Sequence, residues 1–346
     1  MKKKLVAIGL IGCMASTLVG CGSSQSSAET TPGSDSGEEV VEFRFVANKQ
    51  EDLLTEILYD LAASIEEKSG GTLKPDLYLE GQLGSNDEDY CTGLSEGNYE
   101  MLCSTEWFQL WTSPEWMDLI QVPFIFRDAD HLQAFWRSDI GAEINQRSID
   151  QYNVYTYADT VALRGARYLT ANKPVTSVED VKGLKMRTPN VEGVVASWTA
   201  AGANVTPVAW GELYSALQTG VVDAQENPAA NIDSAALYQV QSHLMKTAHQ
   251  YTCYFIHMNN EWFNALSENQ QKAITDSIDE AFADYNARVL ENEQELFKEF
   301  EEKGMTIIEQ EDIDIQSFKD VIVPTVLEQY KDEFVENGWD RIQEIQ

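Results

Sequence analysis

The segment from Ser267 to Gly304 constrains the fold more than any other. It opens on "SENQ" (Ser267 to Gln270), the Ser-x-x-Gln pattern of a capping box, in which each side chain bonds the other residue's backbone N–H. Ile274, Ile278, Phe282, Tyr285 and Val289 then recur at helical spacing, and the stripe continues through Leu296 and Phe300 to Gly304, a helix-ending residue. An unbroken helix between cap and glycine would run about 54 Å at 1.5 Å per residue. One small domain is narrower than that. The spacing therefore predicts a helix, straight or kinked, that braces two bodies. A chain of 346 residues with 43% hydrophobic side chains has the apolar material for one large or two medium domains.

Shorter elements alternate along the rest. "EFRFVANK" (Glu42 to Lys49) carries Phe43, Phe45 and Ala47 on one face, as a strand ending in a polar loop. Leu53, Leu54, Ile57, Leu58, Leu61 and Ile65 mark a helix stopped by Gly70-Gly71. "LYLE" (Leu77 to Glu80) reads as a second strand, followed by the glycine turn "GQLGSNDED", where Ser85 is placed to cap a helix. "YEMLCST" (Tyr99 to Thr105) is a third, nearly all-apolar strand. Further on, "NVYTYAD" (Asn153 to Asp159) and "GLKMRTPN" (Gly183 to Asn190) read as strands, with helices over 191–201 and in "GELYSALQTG". Alternating strands and helices predict an α/β fold whose mostly parallel sheet is covered on both faces. Ligands of such sheets sit beyond the carboxyl ends of the strands, here Asn48, Glu80 and Ser104-Thr105. "LSEGNYEM" (Leu94 to Met101) and "LQTGVVDA" (Leu217 to Ala224) echo each other. If the echo is structural, Ser104-Thr105 and Asn227-Pro228 emerge at matching strand ends facing one cleft.

The N-terminus stands apart. Lys2 to Lys4 precede an apolar run, Leu5 to Val19, that ends in "LVGC" with Cys21. The run is too short to span a bilayer comfortably and reads as an export signal. A Ser-, Thr-, Gly- and Glu-rich stretch, 22–39, follows and reads as a tether.

Charge and cysteines narrow the function. The formal charge is −33, with 57 acidic and 24 basic residues. Such a surface argues against nucleic acid and repels small anions at long range. An anionic ligand would need a few well-placed arginines. Cys91, Cys103 and Cys253 remain beyond the signal and Cys21, an odd number that makes no disulfide framework, although a Cys91–Cys103 bridge stays open. The four histidines form no zinc-binding pattern, so neither metal nor cofactor is expected.

"GVVDAQENPAA" (Gly220 to Ala230) has three readings: a surface turn, a catalytic pair of Asp223 and Glu226, or a ligand-lining loop. A carboxylate pair would suit glycoside hydrolysis. The chain carries no nucleophile elbow, no phosphate loop and no second catalytic feature beside these acids, so binding is favoured over catalysis.

"GLKMRTPN", "GANVTPVAWGELYSALQTGVVDAQENP", "GQLGS" and "VPFIFRDADH" resemble the solute-binding proteins of TRAP (tripartite ATP-independent periplasmic) transporters, from about Phe43 to beyond Tyr285. The resemblance implies a two-domain periplasmic-binding-protein-like fold with a hinge and a central cleft. We expect domains of 41–163 plus 253–292 and of 164–252 plus 293–346, preceded by a lipoprotein signal (1–20) and a tether (21–40). Separately, the small residues before Cys21 in "LVGC" resemble a bacterial lipobox, which implies that Cys21 is lipidated and anchors the protein outside the cell membrane. The transporter resemblance implies an organic-acid ligand delivered to membrane permease subunits driven by an ion gradient. The same fold reporting to a membrane histidine kinase is the alternative.

Site residues carry over from the same resemblance. Arg187 matches the arginine that pairs with the ligand carboxylate, and a guanidinium can fork two parallel bonds to one. Arg167, or its neighbour Arg164, matches a second arginine. Asn227 matches an asparagine facing the carboxylate from the other side, and Asn190 closes the "TPN" loop. Trp210 matches a wall of the cleft, though it reads equally as core. Asn48, Asn86, Thr105 and Phe108 match first-domain positions that select the rest of the ligand. The aromatic run "STEWFQLWTSPEW" stands beside them, some of it to stack on ligand and some to fill core. No first-domain arginine or lysine stands obviously ready for a second carboxylate, Lys49 being the one candidate, so a sugar acid such as a uronate or aldonate is favoured over a C4-dicarboxylate.

Overall fold

The computed structural model describes residues 39–48, 52–79, 81–84 and 86–346. The signal, Cys21 and most of the tether lie outside these residues, as do Lys49, Glu80 and Ser85.

Among the described residues nine strands form one sheet: β1 (Val41–Ala47), β2 (Leu73–Tyr78), β3 (Met101–Ser104), β4 (Val154–Ala171), β5 (Lys185–Thr188), β6 (Asn204–Pro207), β7 (Ala224–Asn227), β8 (His243–Asn259) and β9 (Thr306–Ile308). Their order is β2-β1-β3-β8-β4-β7-β5-β6, with β9 beside β8. The sheet is mixed rather than mostly parallel. Parallel trios stand at its two ends, β2-β1-β3 and β7-β5-β6. The antiparallel pair β4/β8 joins them, β8 antiparallel to its neighbour β3 and β4 antiparallel to its neighbour β7.

β4 and β8 are 18 and 17 residues long. The sequence reading caught only the start of β4 and missed β8. Much of each strand is buried on both faces, which erases the alternation that marks a half-buried strand. Their pairing also breaks register between Tyr157/Ala162, Leu163/Ala166 and Arg167/Leu169. Gly165 sits in the middle break at φ +75°, a backbone state open to glycine, and a Cβ there would stand 2.8 Å from Glu293 Oε1.

The long helix is continuous over Glu268–Glu302 and has the expected capping box between Ser267 and Gln270. Ile274, Ile278, Phe282, Tyr285 and Val289 pack into the core under β1, with Phe45, Ile57 and Leu61. Leu296, Phe297 and Phe300 pack into a different core with Tyr168, Leu213 and Val222. Polar side chains stitch the helix to β4 between these cores. Asp279 accepts the Tyr157 and Thr160 hydroxyls at 2.9 and 2.6 Å, and Asn286 bonds the Leu163 N–H and the Val161 carbonyl at 2.7 and 2.9 Å. The helix is thus one rod anchored in two cores, one under β1 and the other beside β4, β8 and β9. Cys91, Cys103 and Cys253 are buried free thiols, which closes the Cys91–Cys103 possibility.

Candidate ligand-binding cleft

A cleft of about 770 Å³ opens where the ends of both trios converge across β4 and β8. Asn48 follows β1, Thr105 and Glu106 follow β3, Pro189 and Asn190 follow β5, Val208 follows β6, and Asn227 ends β7. Parallel strands leave their carboxyl ends on one edge, so short polar loops there gather without any segment crossing the core. Arg164 and Arg167 of β4 and Gln250 and Thr252 of β8 form the floor.

Arg187 is the most constrained cation in the cleft. It is buried, and its Nε and Nη2 both donate to the Val208 carbonyl, at 2.9 and 2.7 Å. That fixes one edge of the planar guanidinium on β6 and leaves the Nη1/Nη2 edge for a second acceptor pair. Among the described residues no carboxylate lies within ion-pair distance of it. Burial pulls its pKa down to about 10; the Glu226 charge opposes this and the Arg167 charge adds to it. A buried cation with an uncommitted fork and a second cation nearby is a site that gains by taking in an anion.

Arg167 is bound differently. Its Nε and Nη2 hold the Glu226 carboxylate, with the Nη2 bond at 2.8 Å, and Nη2 also reaches the Glu226 carbonyl at 2.9 Å and Asn227 Oδ1 at 3.2 Å. His249 Nε2 stands 3.3 Å from Glu226, and its Nδ1 is 2.7 Å from the Thr247 hydroxyl. Burial alone would raise the Glu226 carboxyl, but the Arg167 charge and the bonds from His249 and Arg167 hold it below the ordinary carboxylate range. Burial keeps His249 below its usual pKa, hence neutral near pH 7. With Glu226 accepting, the network assigns the His249 proton to Nε2. This chain orients Asn227, whose Nδ2 also donates to Gln225 Oε1. Glu226 therefore lies behind the cleft wall, not merely beside it. Asp223 is half-buried at the surface beside Lys185, 3.9 Å away, while Glu226 is fully buried, so the two acids face no common reacting centre.

The remaining expected residues divide. Asn48, Thr105, Asn190 and Trp210 line the cleft, and Trp210 also packs against the Leu213 core, so both of its readings hold. Asn86 lines the rim while capping the helix Asp87–Ser95, accepting the Asp89 N–H at 2.9 Å. Arg164 lines the floor together with Arg167; it stacks on Tyr254 at 4.5 Å and bonds Asn231. Of the echoed pairs, Thr105 and Asn227 reach the cleft.

Phe108 does not. It is fully buried against Trp111, Tyr152 and His257, and Trp107 lines the cleft instead. The helix Trp107–Thr112 turns roughly 100° per residue, so neighbouring aromatics point to different environments.

Residues 46–333 match the family model of DctP, bacterial extracellular solute-binding protein, family 7. The chain belongs to this family. A solute-binding protein of Roseobacter denitrificans is 32% identical over 262 residues, which is 75% of this chain and 79% of that protein. The 2,3-diketo-L-gulonate-binding periplasmic protein of Escherichia coli is 31% identical over 260 residues, 75% and 77% of the two chains. Among solved structures, the Roseobacter denitrificans TRAP periplasmic solute-binding protein with bound L-galactonate aligns at TM-score 0.76 and 26% identity, covering 89% of this chain and 99% of that one. These matches make this DctP-family chain a TRAP solute-binding protein of a family that takes organic acids. Its relatives are binding proteins rather than enzymes. Among the described residues no helix is long and apolar enough to cross a membrane.

Several cleft residues escaped the sequence reading of this DctP-family protein. Asp87, Gln121, Asn231, Gln250 and Thr252 carry no local signal that separates them from surface polar residues. Glu106 did carry one, since it directly follows the Ser104-Thr105 strand end.

Proposed function

We propose that this protein captures a monocarboxylate-bearing organic acid, a sugar acid before a C4-dicarboxylate, and delivers it to TRAP permease subunits in the membrane. The reading rests on one observation, the buried Arg187 whose free fork faces the cleft while its other edge is held by Val208. A carboxylate placed on that fork gains two parallel charge-assisted bonds, with Asn227 and Arg167 beside it. The L-galactonate in the Roseobacter denitrificans relative and the sugar-acid name of the Escherichia coli one point to the same ligand class.

Capture requires closure. In this reading 41–163 plus 253–292 form one lobe and 164–252 plus 293–346 the other. Leu163 pairs with Cys253 where the lobes meet, between two of the register breaks of β4 and β8. Lipidation of Cys21 and the tether after it would keep the binding lobes at the membrane surface, within reach of the permease.

A thermal-shift screen over sugar acids, C4-dicarboxylates and neutral sugars tests the reading, because a ligand that binds only the folded form raises its melting temperature. Sugar acids should stabilise the protein and neutral sugars should not. Stabilisation by neutral sugars alone would refute it.

A further inference from the structure

Strand β8 borders two separate spaces. Gln250 and Thr252 line the cleft, whereas Thr247, Ala248 and Tyr251 line a second cavity of about 590 Å³. That volume is in the range of small-molecule sites. Its other walls come from Phe124 and Phe126, from the helix Ile315–Gln329, and from Trp339 of the helix Gly338–Gln343. No residue lines both spaces.

The backbone around this cavity is strained. Among the described residues, those other than glycine and asparagine with positive φ are Phe124 at +70°, Ala236 at +51° and Ala248 at +42°. Phe124 and Ala248 both line the cavity. A bulky side chain rarely adopts the left-handed region, and such strain persists only where surrounding structure enforces it, most often at binding sites. Here the Phe124 N–H donates to the His249 carbonyl at 2.7 Å, which holds the strained loop against the strained turn of β8.

The lining is apolar within and cationic at the mouth. Phe126 is buried, and Phe124, Tyr251 and Trp339 are half-buried, while Arg127 and Lys319 are exposed. Lys319 Nζ stands 5.4 Å from the centre of the Phe124 ring. Arg127 spends one N–H on the Gln343 carbonyl at 3.2 Å and one on the Ile345 carbonyl at 2.8 Å, leaving donors over. Among the described residues neither cation has a carboxylate within ion-pair distance. Asp320 is the one acid among the described lining residues, and its Oδ1 already accepts from Gln316 Nε2 at 2.7 Å. In a chain of formal charge −33, a mouth with two cations and one engaged acid is a local reversal of sign.

Three kinds of occupant can be compared. A neutral ring system uses the aromatic walls and leaves the cations idle. An aromatic ammonium is repelled at the mouth, and a small polyhydroxy acid leaves the rings uncovered. A flat ring carrying one carboxylate serves walls and mouth together. We propose that this cavity is a second ligand site, taking an aromatic monocarboxylate whose ring enters among Phe124, Phe126, Tyr251 and Trp339 and whose carboxylate meets Arg127 and Lys319. The inference stands apart from carboxylate capture at Arg187, so either can fail alone.

The test is calorimetric titration with 2-naphthoate, with its neutral isostere naphthalene-2-carboxamide as control. Both are titrated into Arg187→Ala, which removes the cleft's own carboxylate fork, and into the unaltered protein. One naphthoate site per chain should remain in Arg187→Ala, about tenfold tighter than the carboxamide. Lys319→Glu added to Arg187→Ala should weaken naphthoate about tenfold and leave the carboxamide within a fewfold of its value. Melting temperatures show whether each variant is folded. Should the double variant fail to fold, Lys319→Glu alone decides, titrated with the cleft saturated by the sugar acid that most raises the melting temperature. No naphthoate binding, or binding lost in Arg187→Ala, overturns the second site. Binding that Lys319→Glu leaves unchanged, or that the carboxamide equals, overturns it as well.

Discussion

Arg187 and Val208 are joined by two hydrogen bonds to a single carbonyl oxygen, at 2.9 and 2.7 Å. The pairing spends the side edge of the guanidinium on β6, the strand paired with its own, and aims the end edge at the cleft. Geometry rather than charge alone is therefore the resource. Arg187→Lys keeps the charge, but an ammonium cannot hold Val208 and present a planar fork together. Affinity for the bound sugar acid should fall about thirtyfold or more, read by calorimetry, with little change in melting temperature.

Arg167 and Glu226 make the opposite kind of pair, closed on itself and buried. Glu226→Gln would leave the Arg167 charge behind the wall without its counter-ion. Breaking a buried pair from one side costs about 3 kcal/mol or more, so chemical denaturation should show a loss of that size. Ligand affinity should also fall, because Arg167 would then be free to pull on Asn227.

Glu293 offers a pH-dependent signature. Burial raises its carboxyl to about 7, against the opposing Tyr168 hydrogen bond and Lys246 charge. A carboxyl with a raised folded pKa binds its proton more tightly when folded. Its contribution is complete below the unfolded value of 4.5 and is lost as pH rises through about 7. Glu293→Gln, which mimics the protonated form, should therefore gain stability relative to the unaltered protein by about 2 kcal/mol more at pH 8 than at pH 4.5, measured by denaturant titration at both. An equal difference at the two pH values would place Glu293 outside the titration.

The elements legible in the sequence were those whose signals are local. Ser267, Gln270 and the stripe from Ile274 to Phe300 lie on one helix, and their spacing alone specified it. β8 was illegible because a strand buried on both faces has no polar alternation to read. Glu226 looked like an acid beside the site because its partner Arg167 is 59 positions away in sequence. Phe108 and Trp107 exchanged roles because an apolar run fixes that a helix forms, not how it is rotated. The acidity of the chain called for arginines at an anion site without saying which; Arg187 was singled out only by the resemblance that "KMRTPN" carries.

The most direct test of the account is calorimetric titration of the unaltered protein and of Arg187→Ala with the sugar acid that most raises the melting temperature. Carboxylate capture at Arg187 predicts one site per chain in the unaltered protein and a loss of affinity of about a hundredfold or more in the variant, which stays folded. An affinity in Arg187→Ala within a fewfold of the unaltered value would contradict it.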